Sequence, residues 1–440
     1  MRNFLIVWFG QTISSLGSKM TGFAVGVWIF EQTGQATALA LVTVTGMIPT
    51  LLLTLFSGVI VDRTNRKRLM MVGDAVAGGT TIVLLALFLL GQMQIWHIYV
   101  AYAVGLPFAT LQDLAYQSSV SLMVSKQQYT RASSLAQVTW YGGNIISPAL
   151  AAALYGAFGL ASVFLVDIVT FIIAIATVLG SNIPQPKPKP QGEANAQRLA
   201  VSGMWSDLLY GFRYIVERPV LRALVLVGCL WTLFHDAALN GPMILARTDN
   251  NEAVLAAVLA ASGIGGVIAA IVVSIWGGNN RQILTYGLGM VAAGIGKTLM
   301  GLGRSVTVWA PAQAYTSAMF PPFLSARRAL FMAKIDPATQ GRFFASFRVL
   351  TGLVSLFSLL ITGPLGDFVF EPAMAEGGGL AGTFDWLVGT GRGAGYALQF
   401  VLLGLGMTGV GVLALLWKPV REAETALADH DQTQIGAAAD

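Results

Sequence analysis

Gly58-Val59-Ile60-Val61-Asp62-Arg63-Thr64-Asn65-Arg66-Lys67-Arg68 is the stretch that decides the fold of this chain. Residues 36–57 before it and 69–90 after it are apolar runs. Each is long enough to cross a bilayer as a helix, for which about 20 residues suffice. A short connection with four cations and one carboxylate belongs at a membrane surface, and its excess of Arg and Lys marks that surface as cytoplasmic.

The composition agrees. Of 440 residues, 55% are hydrophobic and 11% charged, against roughly 25% charged in a soluble domain, and the mean hydropathy is +0.68. The net charge of +5 reflects the bias of cytoplasmic loops. No basic stripe interleaved with aromatics appears, so nucleic acid is not an expected partner. Cys229 is the single cysteine and lies in an apolar run, which leaves neither a disulfide framework nor a metal-binding spacing. The apolar stretch after Arg2 continues to about Phe30 without a small-residue cleavage site, so it is expected to stay as a first helix.

Twelve apolar segments follow, at about 4–30, 36–58, 69–91, 96–118, 133–157, 160–181, 220–243, 252–276, 282–303, 306–326, 343–366 and 395–417. Charge placement tests this count separately. With both termini cytoplasmic, the inner loops collect Arg2, the 63–68 cluster, Lys126, Arg131, the cations of 187–222, Arg281, Arg327 to Arg348, Lys418 and Arg421. The outer loops hold Arg247, Arg304 and Arg392. One missed crossing would invert every later loop, so the split supports the count.

The expected organisation is an N-terminal six-helix bundle over 1–182, a cytoplasmic linker over 183–219, a C-terminal six-helix bundle over 220–418 and a cytoplasmic tail over 419–440. Pro184 to Pro190 alternates proline with polar residues and cannot be embedded in lipid. It leads into an amphipathic segment with Trp205, Leu208, Leu209, Phe212, Ile215 and Val216 on one face, expected to lie along the inner membrane surface. A weak internal repeat joins the halves. Asn65-Arg66 recurs as Asn280-Arg281, Arg131 as Arg342, and Ser147-Pro148 as Gly363-Pro364, all offset by about 215 residues.

Glycine, three apolar residues, Asp-Arg, two further residues and a basic cluster resemble the loop between the second and third helices of the major facilitator superfamily. A narrower resemblance covers most of the chain. Gln11 to Ser18, Arg131-Ala132-Ser133-Ser134-Leu135, the Pro148 helix, Asp167 within Phe164 to Asp167, Gly341-Arg342 and Gly363 to Met374 are similar to the drug–proton antiporter branch that includes macrolide efflux proteins. The resemblance implies two six-helix bundles in an all-α membrane fold, and export of a small molecule from the cytoplasm in exchange for protons. It also implies that Gly58, Asp62, Arg63, Arg66 and Lys67 form a gating latch stabilising one access state. The bland alternative is that this cluster only fixes topology. Where the family usually has glycine, this chain has Asn65, a residue that tolerates a left-handed backbone.

Charges within membrane helices are costly and usually face a wet interior. Lys19, Asp113, His235 and Asp236 fall on the first, fourth and seventh crossings. In the resembling fold those helices line the cavity, making these four the candidates for the substrate or proton pathway. Asp113 is equally well read as an ion-pair partner of Arg63 or Arg66. Asp74, Asp167 and Lys297 lie on supporting helices and are expected to form structural ion pairs. Aromatic and Met side chains such as Trp8, Trp140, Trp231, Phe320 and Phe323 offer an apolar, adaptable lining or ordinary packing. Pro321-Pro322 is expected to interrupt its helix.

Two apparent nucleotide motifs fail. Gly294 to Thr298 ends like a phosphate loop but has Val291 where glycine is required, and Gly389 to Gly393 lacks a preceding strand. No catalytic constellation, cofactor motif or metal cluster is present in the sequence. The expectation is therefore a monomeric, multi-pass inner-membrane exporter of a small amphiphilic molecule such as a macrolide or a siderophore. A lysophospholipid carrier is the alternative within transporters, and a non-transporting sensor or scaffold the alternative outside them.

Overall fold

In the computed structural model the described residues are 2–124, 128–183, 210–276, 281–335 and 337–426, and no strand occurs among them. The proline run, the first part of the amphipathic segment up to 209, and the tail beyond 426 lie outside the described residues, as do the surroundings of Gly58 and the side chains of Asp62 and Arg63. Helices dominate because lipid offers no hydrogen-bond partner, so each backbone group must be satisfied within its own segment.

The first half consists of α1 (Arg2–Thr33), α2 (Ala36–Arg63), α3 (Arg66–Leu89), α4 (Ile95–Met123), α5 (Tyr129–Phe158) and α6 (Leu160–Gly180). Gly159 makes the sharp turn between α5 and α6 at φ +74°, a conformation that strongly favours glycine. The second half contains α7 (Pro219–Ala237), α8 (Asn240–Arg247), α9 (Glu252–Trp276), α10 (Gln282–Leu302), α11 (Val306–Ala318), α12 (Phe320–Lys334) and α13 (Pro337–Leu365). After α13 come a π-helical turn (Gly366–Phe370), α14 (Glu371–Met374), α15 (Ala381–Val388), α16 (Ala394–Leu416), α17 (Lys418–Arg421) and α18 (Ala423–Ala426). Among the described residues, 9 helical spans have the length and apolarity to cross a membrane. The other three expected crossings fall on α1, on α5, and on α11 running into α12, which are helical too. Pro321 and Pro322 sit in the first turn of α12, where a missing N–H costs nothing.

Contacts divide the chain into two units. The first comprises Met1–Pro188, Asn240–Gly263 and Thr362–Val369; the second comprises Lys189–Leu239, Ile264–Ile361 and Phe370–Asp440. In the first unit, two apolar clusters bracket a polar stretch. Phe4, Val7, Leu69, Met70 and Val178 form one cluster, and Met20, Ala24, Leu84, Leu85 and Phe164 form the other. Between them, along α1, α3 and α6, lie Trp8 to Lys19, Gly73 to Gly78 and Asp167 to Phe171, which line a cavity. The polar residues of these three helices are thus gathered at one depth.

The second unit packs around Trp231, Tyr286, Met290, Phe323, Phe331 and Phe343. Within it α10 crosses α16 at close range. A Cβ on Gly294 would stand 2.5 Å from the Thr408 backbone nitrogen, and one on Gly404 would stand 2.5 Å from that of Thr298. Small residues permit this backbone approach, which dispersion packing in lipid needs.

Two segments flanking the second half are packed structure. Residues 210–217 are helical and dock on α13. Ile215 is buried in the core of the second unit, and a Cβ on Gly211 would stand 2.5 Å from the Arg342 carbonyl oxygen. Arg342 covers the Tyr210 ring at 5.1 Å, and only Val216 of the apolar face remains well exposed in this stretch. The tail expected from 419 begins as packed structure. Val420 and Ala423 are fully buried, and the Glu424 carboxylate accepts the Ile283 N–H at 2.7 Å, satisfying the otherwise uncapped start of α10.

Candidate functional site: a polar cavity among α1, α3, α4, α5 and α6

The cavity of the first unit has a volume of about 780 Å³. Four of the intramembrane charges singled out by sequence line it together: Lys19, Asp74, Asp113 and Asp167. Lys19 on α1 donates from Nζ to Asn144 Oδ1 at 2.9 Å and to the Trp140 carbonyl at 3.2 Å. Gly143 leaves room for this, since a Cβ there would stand 2.8 Å from Nζ. Asp113 on α4 is exposed to the cavity and accepts from Gln117 Nε2, one turn on, at 2.6 Å.

Asp74 and Asp167 were expected in ion pairs, and the structure gives them neutral partners instead. Asp74 accepts from Gln11 Nε2 at 3.0 Å, and Gln11 in turn accepts from Gln112. Asp167 accepts from three hydroxyls, Ser18 at 3.3 Å and Thr21 and Thr81 at 3.0 Å each. Hydroxyls and amides satisfy a buried carboxyl without bringing a second charge into lipid, which avoids another desolvation penalty. Gln11, Gln112, Thr21, Thr81 and Asn144 are therefore part of the site, although sequence reading did not select them. Single polar residues in apolar helices gave no signal of which neighbours they meet.

Indole groups add to the wall. Trp8 Nε1 donates to Thr139 Oγ1 at 3.0 Å and to the Leu135 carbonyl at 3.2 Å, while Trp140 is exposed beside Lys19. Among the described residues the wall thus combines the Lys19 cation, carboxyl groups, amides and aromatic faces. It can offer both charge-assisted hydrogen bonds and apolar contact to an amphiphilic solute.

Below the cavity, the 58–68 loop is anchored to neighbouring helices. Lys67 Nζ donates to the Leu179 carbonyl at 2.8 Å and the Ser181 carbonyl at 2.9 Å, at the C-terminus of α6. A cation is favoured there by the negative end of the helix dipole. Arg66 Nη1 donates to the Ser118 carbonyl near the end of α4 at 2.6 Å. Asn65 departs from the left-handed turn expected of it. It has φ −61° and ψ 116°, and its side chain accepts the Arg68 N–H at 3.1 Å as the N-cap of α3.

The remaining candidates belong to the second unit. His235 Nδ1 and Asp236 Oδ1 are 2.8 Å apart, and Ser355 hydrogen-bonds the same carboxyl group. The His235 ring stacks on Trp231 at 4.7 Å and meets the edge of Phe320 at 5.0 Å, so the aromatic residues position the imidazole. Lys297 is buried, with Nζ 3.3 Å from Gln313 Oε1 and 4.8 Å from the centre of the Phe400 ring. Among the described residues, no group of three or more His, Cys, Asp or Glu is placed to hold a metal ion.

A helical membrane fold with a polar cavity lined by intramembrane charges is an arrangement suited to moving a solute across the membrane. The chain belongs to the Major Facilitator Superfamily, whose description matches residues 7–359. It is 24% identical over 372 residues to macrolide efflux protein A of Streptococcus pyogenes, covering 83% of this chain and 89% of that one. It is 26% identical over 309 residues to the enterobactin exporter EntS of Salmonella typhimurium, covering 70% and 71% of the two chains. Among solved structures, it is similar to a bacterial homologue of the iron transporter ferroportin in an inward-facing state. The TM-score there is 0.67 at 14% identity, with 93% of this chain and 98% of that chain covered. A POT family transporter in complex with 5-aminolevulinic acid gives a TM-score of 0.67 at 12% identity, with 95% and 96% covered. At these identities the structures establish the fold. The protein is a multi-pass membrane transporter of the superfamily, with a small molecule as its substrate.

Proposed function

We propose that the protein exports a small amphiphilic molecule from the cytoplasm by alternating access, with proton entry as the driving reaction. The observation that carries this reading is the mixed wall of the cavity in the first unit, with Lys19, Asp113, Trp8 and Trp140 facing one space. Two exporter-named relatives that align over most of the chain support the direction of transport. A macrolide or a siderophore is the substrate class those names suggest.

In this reading the chain has twelve crossings in two six-helix bundles, both termini are cytoplasmic, and the transporter works as a monomer in the bacterial inner membrane. Lys19 and Asp113 contact substrate. The His235–Asp236 pair holds the coupling proton, because an imidazole and a carboxyl 2.8 Å apart can pass one proton between them as their surroundings change. The loop of Gly58, Asp62, Arg63, Arg66 and Lys67 biases the balance between access states.

The test is transport into everted membrane vesicles with a labelled macrolide and a labelled siderophore, with and without an imposed proton gradient. Gradient-dependent uptake of either solute is the expected result. Uptake indifferent to the gradient rejects proton coupling. Failure to move either solute, in vesicles where the protein is inserted and intact, rejects this substrate class.

A further inference from the structure

We propose that Asp367 is a clasp that holds one access state shut at the end of α2 opposite the 58–68 loop. The Asp367 Oδ1 and Oδ2 atoms accept the backbone N–H groups of Ala36 and Thr37, each at 2.8 Å. These are the first two residues of α2, where N–H groups lack intrahelical partners and the helix dipole is positive. The residue placed to cap this helix locally, Gln35, makes no side-chain bond to it. The terminus is satisfied instead by a carboxylate about 330 residues away in sequence.

Two further features serve this contact. Gly363, one turn before Asp367, lets the backbones meet, since a Cβ there would stand 2.6 Å from Thr37 Cα and 2.9 Å from its nitrogen. Asp367 lies in the π-helical turn Gly366–Phe370, and a π turn re-aims a side chain relative to the α-helix before it. Residues Thr362–Val369 accordingly group with Met1–Pro188 in the first contact unit, apart from the sequence on either side of them.

A cap meant only to stabilise a helix is ordinarily supplied from its own N-cap position. A cap drawn from the other half of the chain exists only while the two segments stay together. Breaking it frees a carboxylate and two N–H groups at a helix end, where water can take them over. The contact is therefore strong when made and reversible, as a two-state element requires. The proposal rests on the alternating-access reading, but its test needs no substrate and so stands or falls separately from export.

The experiment uses the full chain with Cys229→Ser and a reporter, Ala40→Cys, at a position that is 3% exposed one turn into α2. The rate of labelling by a membrane-impermeant maleimide is measured in right-side-out vesicles. Asp367→Ala is expected to raise the rate about tenfold, the scale of a lost charge-assisted hydrogen bond. Gly363→Leu is expected to raise it as well. Adding Gln35→Asp to Asp367→Ala gives α2 its own cap, since Gln35 already has the extended backbone of an N-cap. The rate should stay high in that double variant. Labelling of Asp367→Ala at the parent rate overturns the proposal. So does a return to the parent rate on adding Gln35→Asp, which would make Asp367 a remote helix cap and nothing more. If Asp367→Ala does not insert, Asp367→Asn, which can accept only one of the two N–H groups, is read by the same criterion.

Discussion

Two carboxyl groups illustrate how neighbours assign different work to the same functional group. Asp167 is 4% exposed and held by the hydroxyls of Ser18, Thr21 and Thr81, whereas Asp236 is partly exposed and faces His235. Asp167→Ala would leave three hydroxyl donors around an empty space. It should destabilise the protein by on the order of 3 kcal/mol, because buried donors without acceptors carry the full desolvation cost. A thermal-unfolding series in detergent checks this, with Asp167→Asn expected to recover part of the loss. Asp236→Asn should leave folding intact and act on coupling. Proton-driven accumulation is lost while substrate-driven counterflow remains, because Asn cannot give up a proton. If Asp236→Asn vesicles still accumulate substrate against a gradient and still move protons, the coupling group lies elsewhere, and Lys19 becomes the next to test.

At the scale of elements, the 58–68 loop joins α2 and α3 and reaches two further helices. Lys67 ties it to the last carbonyls of α6 and Arg66 ties it to α4. Asn65 starts α3 by capping it, so asparagine serves here through its acceptor oxygen rather than through a left-handed backbone. Lys67→Met should therefore cost about 1 kcal/mol in unfolding, as expected for a cation removed from a helix C-terminus. Asp62→Asn and Arg66→Ala test gating. Both should insert normally, transport poorly and shift cysteine accessibility between the two membrane faces. Unchanged transport and accessibility in both variants would leave the loop with a topological role only.

For the whole molecule, the topology expected from charge ties every loop to a single assignment. A protease site inserted near Gln191 should be cut in inside-out vesicles and protected in right-side-out ones. The reverse pattern would move every loop to the other face of the membrane and contradict export from the cytoplasm. Residues 210–217 limit what such a site can reach, because Gly211 and Ile215 are packed against the second unit. Cleavage there should be slower than at residue 191 in the same vesicles.

The sequence by itself determined a helical membrane protein, because lipid satisfies no backbone group and about 20 apolar residues must then be a helix. It also singled out the ionisable residues inside apolar runs, Lys19 and Asp113 as cavity candidates and Asp74 and Asp167 as members of ion pairs. Among the described residues all four line the same cavity. Lys19, Asp74, Asp113 and Asp167 were all legible in that way, and the resemblance carried by Gly58 to Arg68 pointed to the family. Partners were not legible. That Asp167 meets three hydroxyls, that Asp74 continues through Gln11 to Gln112, and that Asp367 crosses about 330 residues to α2 depend on helix rotation and depth. In membrane helices many polar pairings satisfy the same local pattern with similar energies. The choice among them is made by close packing at positions such as Gly17 against Asp167, Gly73 against Gln112 and Gly363 against Thr37. Only the tertiary structure makes that choice, because packing fixes which faces meet while apolar patterning fixes only that helices exist.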